Sequence, residues 1–266
     1  MGGEQVEGDG SLPVEAIKRA DVLETLRDGS KTRADLMKAL DVSRTTIHRI
    51  VRDLEAQDLL VQSDDEFELS PFGRAVAAEV STFQQRLTTA RRLQPFLATQ
   101  TDESVDVDVG PFADATITEP GPSNPYAPVA RFMELLRKSS TLYGFDTTTI
   151  APIFVDEIRE EILDGMTTDV VYLPTVVDDI VEAYPDAVRT ALESGELSLS
   201  THEELPFGLA IFDGRIGLGG YDEQTGMLTV FVDTDNPEAR DWALDLYERY
   251  REEADGLTPA DIPGEP

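Results

Sequence analysis

Between Lys31 and Gln57 the chain reads KTRADLMKALDVSRTTIHRIVRDLEAQ, and this stretch restricts the fold more than any other. Thr32 is placed to cap a short helix, RADLMKAL, whose Leu36, Met37 and Leu40 share one side. Asp41-Val42-Ser43 then reads as a tight turn. Ser43 is a good cap for a longer helix in which Ile47, Ile50, Val51 and Leu54 recur at three-to-four spacing. Before this pair, Pro13 to Arg27 has apolar residues on one helical face and stops at Asp28-Gly29. After it, Leu59-Leu60-Val61, a polar tip Ser63-Asp64-Asp65, and Glu66-Phe67-Glu68-Leu69-Ser70 form a strand pair. Two short helices around a three-residue turn, closed by a hairpin, make a winged helix-turn-helix.

That arrangement decides which side chains can reach a partner. Ile47, Ile50 and Leu54 must pack inward, which leaves Arg44, Thr45, Thr46, His48, Arg49 and Arg52 outward or at the edges. Arg can bond guanine bidentately, Thr can meet a thymine methyl or a phosphate, and a capped helix N-terminus favours phosphate. Lys31, Arg33 and Ser43 join the set of expected DNA contacts. The alternative for these arginines is a solvated helix face paired with nearby carboxylates. His48 either touches a phosphate or only covers the side of the helix.

Charge sharpens this reading. The chain of 266 residues has a net charge of −31, which by itself argues against a polyanionic partner. The distribution is uneven. Residues 1–100 hold 13 basic against 17 acidic residues, a net −4, and residues 101–266 hold 9 against 36, a net −27. Residues 31–52 hold six basic residues against two acidic, so one short basic segment sits in an acidic protein. With four lysines in all, the composition is that of a halophile protein, whose carboxylates keep its surface hydrated in concentrated salt.

The run SKTRADLMKALDVSRTTIHRIVRDLEAQDLLVQSDDEFELSPFG resembles the winged-helix domain of archaeal and bacterial transcription regulators over roughly residues 14–75, in the order turn, recognition helix, LEAQDLL and LSPFG. The resemblance implies double-stranded promoter DNA as the partner. One departure stands out. Such wings usually carry a basic residue, and here the tip is Asp64-Asp65-Glu66, so either the wing avoids phosphates or cations bridge it to them.

After Pro71 a long helix is expected. Its Val76, Val80, Phe83 and Leu87 are spaced four, three and four, either a dimer contact or an internal packing stripe. A strand is expected within Asp102–Asp114. Beyond it strand and helix patterns alternate: Thr141–Phe145, Ile153–Asp164, Asp169–Leu173, Asp178–Ser194 broken near Pro185, Leu197–Leu199, Leu209–Phe212, Ile216–Gly219, Leu228–Val232 and Pro237–Ala254. The whole is an α+β/α/β two-domain chain, with a mixed sheet flanked by helices in its second half. The expected organisation is a disordered tail at 1–11, the winged helix-turn-helix at 12–73, a linker or dimerisation helix at 74–100, an effector or sensing domain at 101–254 and a loose tail at 255–266.

The segments LYGFDTT, GELSLSTHEELPFGLAIFDGRIGLGGYDEQTGML and VDTDNPEARDWALDLYERYREEA resemble the effector-type domain of the methanogenesis-regulatory-protein family, through most of residues 105–254. The archaeal sugar-responsive regulators are distantly similar, with a sensor fold related to phospholipase D. The resemblance implies a sensing or oligomerising domain. Phospholipase D chemistry needs a histidine with a lysine two residues on, whereas His202 is followed by Glu203-Glu204. There is no cysteine, and no nucleophile elbow, P-loop or dinucleotide-binding motif stands in context, so no catalytic, metal or cofactor residues are assigned. GLGG at 217–220 follows a strand but opens no helix.

If a small effector binds, strand ends place it at Phe145, Asp146, Thr147 and Thr148, with Asp213 and Tyr221 converging from a hairpin. The competing reading of Asp146 or Thr148 is a helix cap. The function expected is a cytoplasmic, homodimeric, sequence-specific DNA-binding transcription regulator. Its recognition helix is 43–57, and it is modulated by a ligand or by oligomerisation, with no membrane involvement. A protein-interaction adaptor is the alternative, and an atypical enzyme comes behind both.

Overall fold

The computed structural model describes residues 11–100, 105–148, 154–222 and 224–262. The chain divides into two compact units, Met1–Thr88 and Thr89–Pro266.

In the first unit the apolar face expected over Pro13–Arg27 is carried by two helices, α1 (Ser11–Lys18) and α2 (Ala20–Arg27), broken at Arg19. The break lets Ala16 and Ala20, as well as Val22, Leu23 and Leu26, reach one core. Strand β1 (Lys31–Thr32) leads into α3 (Arg33–Leu40). Thr32 and Asp35 form a reciprocal capping box, and the Asp35 carboxyl is held below its usual range by the Thr32 hydroxyl and amide. Asp41 ends α3 in the left-handed region at φ 50°, which a short polar side chain tolerates. Ser43 then accepts from the Thr46 amide to start α4 (Arg44–Glu55). Strands β2 (Leu60–Ser63) and β3 (Glu66–Leu69) form the hairpin, and β1 pairs with β3 to give the order β1-β3-β2.

Helix α5 (Pro71–Arg92) follows. Ser70 caps it by accepting from the Gly73 amide, while its own hydroxyl donates to the Asp58 carbonyl at 2.6 Å. A Cβ at Gly73 would lie 1.9 Å from the Leu59 carbonyl oxygen, so only glycine permits this approach. The stripe expected on this helix divides. Val76 and Val80 pack into the core of the first unit, while Phe83 and Leu87 are exposed.

The second unit opens with the short helix α6 (Gln94–Leu97). No strand lies within the described part of Asp102–Asp114, which turns through a 3-10 segment at Gly110–Phe112. Val105, Val107 and Val109 pack on the core as an extended lead instead, and β4 (Thr116–Thr118) comes two residues later. Helix α7 (Ala127–Leu136), β5 (Thr141–Asp146), α8 (Val155–Leu163), β6 (Thr167–Tyr172), α9 (Pro174–Ala183), α10 (Pro185–Ser194) and β7 (Leu197–Thr201) follow. Ile153, expected to start α8, lies outside the described residues.

Strands β8 (Gly208–Ile211), β9 (Ile216–Tyr221) and β10 (Leu228–Thr234) and helix α11 (Pro237–Glu253) complete the alternation. The tail expected to be loose from Asp255 instead begins with β11 (Asp255–Gly256), antiparallel to β7, and Ile262 is buried in the core.

The eight strands run in the order β11-β7-β6-β5-β8-β9-β10-β4. β5, β6 and β7 are mutually parallel and the remaining pairings antiparallel, so the sheet is mixed. One face packs Phe145, Leu209, Ile211, Leu218 and Val232 with α6 and α11, and the other packs Leu142, Val170, Ala210 and Phe231 with α7, α8 and α10. Helices on both sides explain why β8 is buried along its whole length and does not alternate.

Candidate nucleic-acid interface and effector cavity

Helix α4 buries Ile47, Ile50, Val51 and Leu54 and exposes Ser43, Arg44, Thr45, His48, Arg49 and Arg52. Thr46 is half-buried, its hydroxyl 2.9 Å from that of Ser43. Among the described residues, Lys31, Lys38, Arg44, Arg49 and Arg52 have no ion pair, although Arg19 and Arg27 of the same unit bond Glu15 and Glu24. Asp53 and Glu55 stand in the last turn of α4, away from the capped end where Arg44 projects. The free N-terminal amides, the helix dipole and Arg44 therefore point positive charge the same way.

Arg33 behaves differently. Its guanidinium lies over the Phe67 ring of the wing, 5.2 Å from the centroid, which ties α3 to β3. At the wing tip Asp64 adopts φ 53° and both Asp64 and Asp65 are exposed. Glu66 turns back to accept the Ser30 hydroxyl at 2.5 Å.

The second unit holds a cavity of about 410 Å³ between α7 and the sheet. Asp146, at the end of β5, lines it and accepts the Tyr221 hydroxyl at 2.6 Å. Burial pushes the Asp146 carboxyl up to about 7, against the Tyr221 hydroxyl and the Thr148 and Thr147 amides, which favour the charged form. Burial and the neighbouring Asp146 hold the Tyr221 phenol well above its ordinary range, and the same causes raise Tyr172. Thr148 also lines the cavity. Of the residues expected at an effector site, the structure thus brings together Asp146, Thr148 and Tyr221, with Thr147 alongside.

Phe145 and Asp213 are not part of it. Phe145 sits on the opposite sheet face, packed with Phe207 and Tyr250, because successive strand residues alternate. Asp213 lies beyond the far end of β8. Its carboxylate accepts the amides and hydroxyls of Ser140 and Thr141 at 2.6–2.9 Å, which hold its carboxyl below the usual range. It pins the β8–β9 turn to the start of β5.

The cavity walls escaped sequence reasoning: Tyr126, Val129 and Phe132 from α7 and its lead, and Leu228 and Phe231 from β10. A signal was nonetheless present. Gly217 and Gly219 of the GLGG run, with Gly208 on the paired strand, all face the cavity. A Cβ at Gly217 would come within 2.2 Å of the Phe231 ring, so glycine at alternate strand positions marks a place kept clear of side chains.

Residues 9–92 match the family of the HVO_A0261 N-terminal domain, and residues 125–253 match the family of the methanogenesis regulatory protein FilR1, middle domain. None of the curated proteins matches the chain. Among solved structures the chain is similar to TrmBL2, described as an archaeal chromatin protein with a novel mode of DNA binding. Identity is 13% and the TM-score 0.45, over 94% of this chain and 100% of that one. Nuc, a phospholipase D family member of Salmonella typhimurium, is 11% identical with a TM-score of 0.41, over 54% of this chain and 99% of its own. NucT of Helicobacter pylori is 14% identical with a TM-score of 0.40, over 54% and 98%. With an HVO_A0261-type N-terminal domain followed by a FilR1-type middle domain, the chain belongs with the archaeal winged helix-turn-helix transcription regulators.

Proposed function

We propose that the first unit binds double-stranded promoter DNA with α4 in the major groove, and that the second unit modulates this binding. The observation that carries the reading is the set of exposed arginines on α4, left without ion pairs among the described residues of a strongly acidic chain. A helix face of this kind in an acidic protein is suited to phosphates and guanine edges. Arg44, Thr45, His48 and Arg49 lie on the capped half of the helix and take the base-facing positions; Ser43, Thr46 and Arg52 flank them, and Lys31 and Lys38 approach the backbone. Arg33 supports the wing through Phe67 rather than standing free.

The protein acts as a homodimer in this reading, so that two copies of α4 meet successive major grooves about 34 Å apart. The exposed Phe83 and Leu87 of α5 are the dimer contacts, while Val76 and Val80 support them from inside the first unit. The test is retention of genomic fragments, including the protein's own promoter, across a series of KCl concentrations. The native chain selects particular fragments, and Arg44→Ala/Arg49→Ala, folded as judged by circular dichroism, does not. Selection that survives the double substitution removes α4 from the interface. No selection at any salt hands the first unit to a protein partner, for which the acidic Asp64-Asp65 tip is then the surface to test.

A further inference from the structure

The geometry points to a binding site for a small organic cation, a protonated amine on an apolar or aromatic body, in the cavity under α7 with Asp146 as the counter-ion. The site extends the effector-domain reading only in its consequence for DNA; the binding itself stands apart from that reading. Three observations converge on it. Asp146 presents a carboxylate to the cavity, and among the described residues no Lys, Arg or His lines it. A carboxylate without a cationic partner in such surroundings is costly, and an incoming ammonium relieves it. The walls supply the rings of Tyr126, Phe132 and Phe231, whose faces attract a cation and whose edges accept an apolar body.

The third observation is where the polar groups sit. Asp146, Tyr221 and Thr148 gather at one end, while Val129, Leu228 and Met227 line the rest. A sugar or other polyol, needing hydrogen bonds around its whole rim, is poorly served. An anion meets only Asp146 and the acidic field of residues 101–266, 36 acidic residues against 9 basic, which draws cations in. Gly208 and Gly217 keep the floor open; a Cβ at Gly208 would lie 3.1 Å from both Asp146 carboxylate oxygens, where the ammonium sits.

The titratable groups facing Asp146 are Tyr221 of β9 and Tyr172 of β6, both held neutral by burial and by Asp146 itself. Below about pH 7 the apo carboxyl takes up its proton. An amine that stays protonated from pH 6 to 8 therefore gains about tenfold in apparent affinity as the pH rises over that span.

The experiment is calorimetric titration of the full-length chain, without DNA, against phenethylamine, benzylamine and propylamine, with 2-phenylethanol and phenylacetate as neutral and anionic counterparts. At least one amine binds, at least tenfold more tightly than the alcohol, and phenylacetate does not bind. Asp146→Asn abolishes the preference for the amine. Val129→Trp fills the cavity with Asp146 intact and abolishes amine binding altogether, so a loss does not depend on a single variant. Equal binding of amine and alcohol, amine binding that survives both substitutions, or no binding by any amine overturns the proposal. Because DNA is absent, none of these results bears on α4. Fragment retention with and without the bound amine then reports separately whether the site is coupled to it.

Discussion

The arginines of α4 and those of the second unit sit in opposite electrostatic circumstances. In the second unit Asp233 is fully buried and accepts from Arg131 through two nitrogens at 2.9 Å and from Arg215 at 2.7–2.8 Å. Arg131 also bonds Glu134, Arg215 bonds Asp235, Arg137 bonds Glu157, and Arg251 bonds Asp169. There carboxylates are partners for Arg131, Arg137, Arg159, Arg215 and Arg251, and two of the pairings join elements far apart in sequence: α7 to β10, and α11 to β6. On α4 the guanidiniums of Arg44, Arg49 and Arg52 project from a helix whose apolar face is already buried, and no described carboxylate bonds them. Arginine in this protein does two jobs. Pairing ties elements of the second unit together, and on α4 no described carboxylate pairs with Arg44, Arg49 or Arg52, which is what the proposed DNA contact requires. The contrast teaches that net charge says little about what a single helix can bind.

The largest effect that tests this contrast is expected from Asp233→Ala. It leaves two guanidiniums facing one another without their anion, which costs about 3–5 kcal/mol. Thermal unfolding of the second unit should fall by roughly 10 °C. A second unit that melts unchanged means the cluster contributes little, and the paired half of the comparison fails.

Next in size is Arg44→Ala/Arg49→Ala. Each base-contacting arginine is worth about 1–3 kcal/mol, so the pair should weaken DNA binding by roughly 30-fold to 10⁴-fold. The dependence of log affinity on log salt should flatten by about 2 if both arginines release counterions. Stability should stay within about 0.5 kcal/mol of native, since neither residue holds the fold. A marked drop in unfolding temperature would place these arginines with the structural ones.

Asp146 is a buried-site carboxylate that no guanidinium bonds, and it responds to pH in the opposite sense from a paired one. Its folded-state pKa of about 7 lies above the unfolded value, so the folded unit holds this proton more tightly. Stability from this group is therefore full below about pH 4 and is lost as the pH rises to 7. Asp146→Asn removes the penalty. At pH 8 it should stabilise the second unit by about 2 kcal/mol, allowing for the solvent that still reaches the half-buried carboxyl, and near pH 4 it should match native. Urea melts at the two pH values check this. A variant less stable at pH 8 makes Asp146 a structural hydrogen-bond acceptor rather than a binding group.

What could be read in the sequence follows from how local each cause is. The caps at Thr32 and Ser43, the three-to-four spacing in α4 and the break at Pro185 are set by residues within a turn of one another, and each appears where expected. The mixed sheet followed from alternating segments. The strand expected within Asp102–Asp114 failed because DVDVG alternates like a strand, yet its valines pack on the core and the segment pairs with no strand among the described residues. The tail after Asp255 failed for the converse reason, since pairing with β7 supplied order that its composition did not. The effector cavity was half legible. Asp146 and Tyr221 come together from positions 75 residues apart, whereas Phe145 and Asp213 went astray on alternation and on strand direction.

The smallest expected effect concerns the wing. Asp64 and Asp65 are exposed at a hairpin tip, and in the proposed mode of binding each would place a negative charge near the phosphates. Asp64→Asn/Asp65→Asn should therefore tighten DNA binding by about 0.2–1 kcal/mol, a few-fold at most, in 0.1 M KCl. Screening shortens to about 3 Å at 1 M salt, so the gain should vanish there if the tip only repels DNA through solvent. If cations bridge the carboxylates to phosphate, the result reverses with salt: neutralisation weakens binding in concentrated KCl and alters its salt dependence. Unchanged affinity at every salt concentration means the wing stands clear of the backbone. In that case α4 alone carries the contrast between the free arginines and the paired ones.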